Sequence, residues 1–179
     1  MTTTNATNIS TSGTTDTSTT GHRPDPRAIR RAMAKRSFCT LATVSPAGRP
    51  HVAGVIYGLV GDALYVSTER TSRKARNIAH SPHVAVVIPV RRVPAGGPPS
   101  AIQFQATATL LAVDDPEIER LRSAGTLGSI TGHGELDLPD SCFVRIALPR
   151  RLHTYGLGMS LLSLIRHPLD GAGQVDLTR

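Results

Sequence analysis

Residues 101–113, AIQFQATATLLAV, alternate apolar and polar positions through much of their length, which puts Gln103, Gln105, Thr107 and Thr109 on one face. A period of two belongs to a strand with one buried face. Apolar runs rich in β-formers recur at 38–44 (FCTLATV), 51–60 (HVAGVIYGLV), 63–68 (ALYVST), 83–90 (HVAVVIPV) and 141–149 (SCFVRIALP). The segment 150–158, RRLHTYGLG, extends the last of these past Pro149. Turn chemistry separates the runs. SPAG (45–48) has the Pro and Gly placement of a type I turn, and Gly61-Asp62 is a two-residue hairpin signal with glycine first. The pattern predicts a three-stranded meander over 38–68 and three further strands.

Helical spacing occupies three other stretches. DPRAIRRAMAKR (25–36) carries Pro26 where a first helical turn accepts it, with Ile29 and Met33 four apart. SRKARNIAH (72–80) has Thr71 or Ser72 available as its cap. DDPEIERLRSAG (114–125) opens on Pro116 and early acids, in agreement with the helix dipole. RRVPAGGPPS (91–100) and GTLGSITGHG (125–134) read as loops, and the second lacks the strand-before, helix-after context of a nucleotide fingerprint. The fold class expected is mainly β: a closed or nearly closed antiparallel barrel of six hairpin-linked strands with short peripheral helices.

Composition refines this picture. At 39% hydrophobic and 3% aromatic, with no Trp, the core must be built from aliphatic side chains. The first 20 residues hold 15 Thr, Ser or Asn and the single charged group Asp16. Such a segment cannot bury enough apolar surface to offset its ordering entropy, and it has no basic start or apolar stretch of a secretory signal. Residues 1–22 are therefore expected to be a disordered tail, 25–158 the barrel, and 159–179 a C-terminal extension packed on the barrel or a dimer. Cys39 and Cys142 form no CxxC, so neither a structural disulfide nor a zinc site is expected, and a reducing, cytoplasmic setting fits. His51, His80 and His83 show no metal-ligand spacing, so no metal site is expected. No apolar run approaches the ~20 residues of a membrane-spanning helix.

Charge poses a question. The formal charge is +7, and Arg70, Arg73, Lys74 and Arg76 crowd the start of the 72–80 helix. A helix N-terminus already carries roughly half a positive charge, which disfavours each cation there by about 0.3–1 kcal/mol. Between Glu69 and Asp114 the sequence contains no Asp or Glu to compensate. A bound anion reverses the sign of these terms, and a helix start bearing Ser, Arg and Lys suits a phosphate. A solvated basic face is the alternative reading of the same run.

The order of these elements carries a resemblance. TVSPAGRPHVAGVIYGLVGDALYVST, the SRKARNI…SPHVAVVI block, QATATLL and VRIALPRRLHTYG follow one another over residues 27–158. In this the chain resembles the split-barrel flavoproteins of the pyridoxamine 5'-phosphate oxidase superfamily, and is more similar to their actinobacterial flavin/deazaflavin oxidoreductase branch. The resemblance implies a homodimeric, six-stranded split barrel of the FMN-binding type, with two cofactor sites at the subunit interface. The implied cofactor is FMN or the deazaflavin coenzyme F-420. Its phosphate would be held by Ser72, Arg73, Lys74 and Arg76, with Ser67 and Thr68 lining it from the preceding strand. Val55, Ile56 and Tyr57 would sit along the ring edge, and Gln105 would reach the cofactor from the partner. Extra cations, Arg30, Arg31, Arg70, Arg91 and Arg92, would serve the oligoglutamate tail of the deazaflavin coenzyme or simply solubility.

Such a family uses its cofactor for the hydride, so the resemblance assigns no acid–base residue. His153 and Tyr155 are the substrate-side candidates, read alternatively as a strand-end hydrogen bond and interface packing. Arg151-Leu152-His153 is similar to a substrate-binding Arg-x-His of true pyridoxamine phosphate oxidases, but its continuation departs, so vitamin B6 oxidation is not the activity expected. Haem, bound by some split barrels, would need one histidine presented alone, and the sequence selects none. The function expected is transfer of a hydride between bound cofactor and a small organic substrate. The competing classes are a non-catalytic flavin carrier and a basic nucleic-acid-binding protein, the latter disfavoured by three Phe and three Tyr as the only stacking platforms.

Overall fold

The structure, a computed structural model, describes residues 25–91, 99–132 and 140–177. The Thr-rich tail, Arg92 with most of the 91–100 loop, and the end of the 125–134 segment lie outside the described residues.

Helix α1 (Pro26–Ala34) starts as its sequence dictates, with the Asp25 carboxylate accepting from Arg27 N–H at 3.0 Å and Ile29 and Met33 fully buried. Strands β1 (Phe38–Val44) and β2 (Pro50–Ile56) form a hairpin in register from Phe38–Ile56 to Val44–Pro50. Its turn is closed by Gly48 N–H donating to the Ser45 carbonyl at 2.8 Å, with Gly48 at φ +72°. Then come β3 (Gly58–Val60), β4 (Ala63–Glu69), helix α2 (Arg73–His80), β5 (His83–Arg91), β6 (Ser100–Ala112) and β7 (Ser141–Ala147). Strands β8 (Arg151–Tyr155) and β9 (Ala172–Asp176) follow.

Seven strands neighbour one another in the order β2-β1-β5-β6-β7-β4-β3, every pairing antiparallel. The two ends of that path, β2 and β3, are joined covalently through Tyr57. A sheet whose opposite edges belong to one continuous segment must curl on itself, so the fold is a mainly β split barrel with short helices, as expected. The strand count differs from the six expected. The 51–60 run does not continue as one strand, and the three-stranded meander does not form. At Tyr57 the backbone N–H donates to Ser37 O (2.8 Å) and the buried hydroxyl to Met33 O (2.7 Å). The segment leaves β1 there and pairs next with β4, Gly58 opposite Tyr65.

Strands β7 and β8 both pair with β6, β7 along Ala108–Ala112 and β8 along Ala101–Gln103. Between them, residues 104–107 of β6 have no partner from either strand. This is the split, and Leu148-Pro149-Arg150 crosses it. The 150–158 segment is thus a separate strand rather than an uninterrupted extension, because Pro149 lacks the N–H a ladder needs. β9 pairs with β8 throughout, and helix α5 (Leu161–Arg166) lies between them in sequence.

Inward-facing Leu41, Val86, Ile88, Ile102, Phe104, Val144 and Ile146 build the barrel core. A second cluster, Ala63, Tyr65, Ile118, Leu127, Ile130 and Phe143, lies under helices α3 (Pro116–Ser123) and α4 (Gly128–Thr131). The short α4 corrects the expectation of an all-loop segment from residue 125. A polar clamp fastens α3: the Glu117 carboxylate accepts from Tyr65 Oη and from Arg145 Nε at 3.0 Å. Burial, reinforced by the hydrogen bond to Glu117, pushes the Tyr65 phenol up from its ordinary value. Phe143, fully buried in this cluster, is expected to cost about 3–5 kcal/mol when changed to alanine. Urea unfolding checks this. A loss under 1 kcal/mol would mean that the α3–α4 layer adds little to the fold. No helix among the described residues is long and apolar enough to cross a membrane.

Candidate functional site

The end of β4 delivers Ser67 and Thr68 to the start of α2. Ser72 caps that helix, accepting from Ala75 N–H at 3.3 Å, while its Oγ lies 3.2 Å from Thr68 Oγ1. Thr71, the other expected cap, instead donates to Glu69 at 3.4 Å. Arg76 N–H and Ala75 N–H are satisfied by Ser72, so the Arg73 and Lys74 amides are the first-turn donors left over. Among the described residues, none of Arg70, Arg73, Lys74 and Arg76 forms an ion pair. Cys142 lies opposite Thr68 on β7 and feels Arg70 and Lys74. Burial outweighs those cations and raises its thiol, so Cys142 adds no negative charge beside them.

Ser67 Oγ is the decisive atom. It is buried and without a hydrogen-bond partner. An unmade buried hydrogen bond costs about 1–3 kcal/mol, so this hydroxyl, at the end of the strand that leads into α2 and on the face of β4 opposite to Thr68, is a donor left over for an acceptor. A phosphate fits the donor set of this cradle at the start of α2.

Continuing the Gly58–Tyr65 register by two residues sets Ile56 alongside Ser67, and β2 does approach β4. Of the three residues expected at a ring edge, only Ile56 turns outward, at 54% exposure. Val55 and Tyr57 face the core, because side chains alternate along a strand. Their side chains are not available to a ligand.

A groove of ≈ 640 Å³ opens at the split. Ala42, Thr43 and Val44 of β1, His83 and Ala85 of β5, Gln105 and Thr107 of β6, and Ala147 to Pro149 line it. Gln105 therefore does not share a cavity with the cradle. Ser67 and Thr68 pair with Phe143 and Cys142, which pair with Leu111 and Ala112. From Ala112 to Gln105 is seven residues, about 23 Å along an extended strand. His153 lies still further off, opposite Gln103 and Gln174, and Tyr155 is half-buried opposite Ala101. Within one protomer Ser67 and Thr68 stand across β7 from the Ala112 end of β6, Gln105 stands mid-strand, and His153 and Tyr155 lie toward the Ala101 end.

The extra cations separate too. Arg30 donates to the Gly61 carbonyl at 3.3 Å and pairs with Asp62, while Arg31 lies 3.8 Å from Asp25. Both have acidic partners within the chain, which gives each a role that needs no anionic tail. Arg70 shares a separate depression of ≈ 340 Å³ with Arg122, Asp114 and Glu119, whose opposite charges balance. Sequence reasoning missed the groove residues Thr43, His83 and Leu148. Pro149, closing an apolar run, was the available signal for the split.

The family model for pyridoxamine 5'-phosphate oxidase matches residues 26–150, from the first helix to the end of the split. The chain belongs to the pyridoxamine 5'-phosphate oxidase family. Among curated proteins none matches it. Among solved structures this family member is similar to HutZ, the haem storage protein of Vibrio cholerae, at 23% identity and TM-score 0.65 over 76% of this chain and 98% of that one. A haem-binding protein of Mycobacterium smegmatis aligns at 20% identity and TM-score 0.66 over 88% of this chain, which spans 60% of that protein. A pyridoxamine 5'-phosphate oxidase-related, FMN-binding protein of Nostoc punctiforme aligns at 20% identity and TM-score 0.52, over 75% and 86% of the two chains. At such identities the likeness establishes the shared fold.

Proposed function

We propose that this member of the pyridoxamine 5'-phosphate oxidase family is a flavin-dependent oxidoreductase that binds FMN by its phosphate at the start of α2. The buried, partnerless Ser67 Oγ carries the reading. Ser67, Thr68, Ser72 and the Arg73 and Lys74 amides donate to phosphate oxygens. The Arg73 and Lys74 side chains neutralise its charge, with Arg76 beside them, and Ile56 offers the outward apolar surface nearest the cradle. When bound, FMN supplies hydride exchange with a small organic substrate.

The working unit in this reading is a homodimer. Phe38, Val44, Val52, Ile56 and Val87 are large apolar side chains exposed on the outer face of β2-β1-β5, Val52 at 61%. A continuous apolar sheet face of this kind marks an association surface. A second copy on it would bring one protomer's Gln105 groove, which opens on this outer face, toward the other's cradle. His153 and Tyr155 would then serve the substrate side.

FMN is favoured over coenzyme F-420 because Arg30 and Arg31 are already paired and Arg70 faces balancing carboxylates. Haem is a second reading, favoured by His83 standing among the Ala, Val, Leu and Pro side chains of the groove. Titration of the purified protein separates the three. FMN is expected to bind with quenched fluorescence, and F-420 and haem more weakly. An intense Soret band on haem addition with no uptake of FMN would overturn the flavin reading. Turnover of loaded protein with a chemical reductant distinguishes enzyme from carrier.

A further inference from the structure

Asn77 is a polar residue on the buried side of α2, between Ala75 and Ile78, and is only 3% exposed. Its Nδ2 donates to Thr43 Oγ1 at 2.9 Å, and Thr43, on β1, is 1% exposed. Ala75 and Ile78 press the same helix against the barrel, but apolar contact is non-directional and lets a short helix rotate or slide. A buried hydrogen bond is directional and costly to leave unmade. At the helix start, Thr68 and Ser72 tie α2 to the barrel through their side chains, and Ser72 N–H donates to the Glu69 carbonyl of β4 at 3.1 Å. The Thr68 and Ser72 hydroxyls are part of the cradle. Each has to turn toward an incoming anion, so this side-chain tie is exchanged on binding.

We propose that Asn77 is a positioning residue for anion capture. Its bond to Thr43 holds the first turn of α2 in place while Thr68 and Ser72 leave each other for the ligand. The inference rests on the phosphate reading of the cradle. Asn77 stands three and four positions after Lys74 and Arg73, about one helical turn, so a rotation at Asn77 moves both cations with it. Thr43 also lines the groove at the split, which makes this hydrogen bond a physical link between the groove wall and the helix that carries the cradle.

Comparing FMN with riboflavin, which lacks the phosphate, tests this on the full-length protein by fluorescence titration. Wild type is expected to prefer FMN, and Thr43→Val and Asn77→Leu to lower that preference about tenfold, the worth of one buried hydrogen bond. Thr43→Ser, which keeps the hydroxyl, is expected to retain it. The ratio of FMN to riboflavin affinity is the readout, because any effect of Thr43 on the groove wall, or a general loosening of the fold, moves both ligands alike. Unchanged FMN preference in both Thr43→Val and Asn77→Leu overturns the positioning role and leaves the phosphate reading standing. No FMN preference in wild type removes the phosphate reading and the positioning role together. Should Asn77→Leu fail to fold, the shape-matched Thr43→Val and its serine control decide the matter.

Discussion

Changing Arg73 and Lys74 together to alanine is expected to weaken the proposed FMN binding by tens-fold or more, while riboflavin binding stays where it was. Hydrogen bonds to a charged partner are worth about 1.5–3 kcal/mol, and two of them lie above a tenfold change even if solvent screens part of the effect. Arg73 is exposed and Lys74 half-buried, so Lys74 is expected to carry the larger share. Removing the pair also relieves repulsion with the helix dipole in the free protein. The double variant should therefore fold at least as well as wild type, and its melting temperature without ligand should not fall. The salt dependence of FMN affinity should flatten as well. Equal FMN affinity in the double variant and wild type would dispose of the cradle as a phosphate site.

Placing a carboxylate in the middle of the exposed β2-β1-β5 face, by Val87→Glu, is expected to convert the proposed dimer to a monomer. Val87 lies opposite Thr40 on one side and Gln103 on the other, in a row continued by Gly54, with Phe38, Val52 and Ile56 around it. Burying an unpaired carboxylate costs several kcal/mol per ion, and a two-fold axis doubles the number. Since Val87 is 37% exposed and turned away from the core, the isolated subunit tolerates the change. Sedimentation or size-exclusion chromatography with light scattering reads the outcome. FMN affinity is expected to fall more than tenfold with the dimer, because the cradle and the Gln105 groove then belong to different molecules. A wild type that sediments as a monomer, yet binds FMN tightly, contradicts the shared site.

Local chemistry determined much of this protein at the level of sequence. Asp25-Pro26 and Ser72 start their helices because a short oxygen-bearing side chain and a fixed φ meet the needs of a first turn whatever lies around them. The alternation along 101–113 set which face of β6 is buried, and Gln103, Gln105, Thr107 and Thr109 are indeed the exposed set. Crowded cations without nearby acids were equally legible, since charge sequence is one-dimensional. The family's order of strands and loops followed from the same local signals.

Tertiary structure decided which of those charges are free and which residues meet. Arg30 and Arg73 look alike in the chain, yet Arg30 is neutralised by Asp62 from the far end of a hairpin, 32 positions away. The single strand read over 51–60 breaks because Tyr57 finds Ser37 and Met33, contacts that exist only once α1 is docked. The separation of cradle from groove follows from β6 pairing with β7 at one end and β8 at the other, a register no periodicity encodes. Hydrogen-bond partners distant in sequence are chosen by the closed geometry of the barrel, and only that geometry leaves the Ser67 hydroxyl buried without a partner.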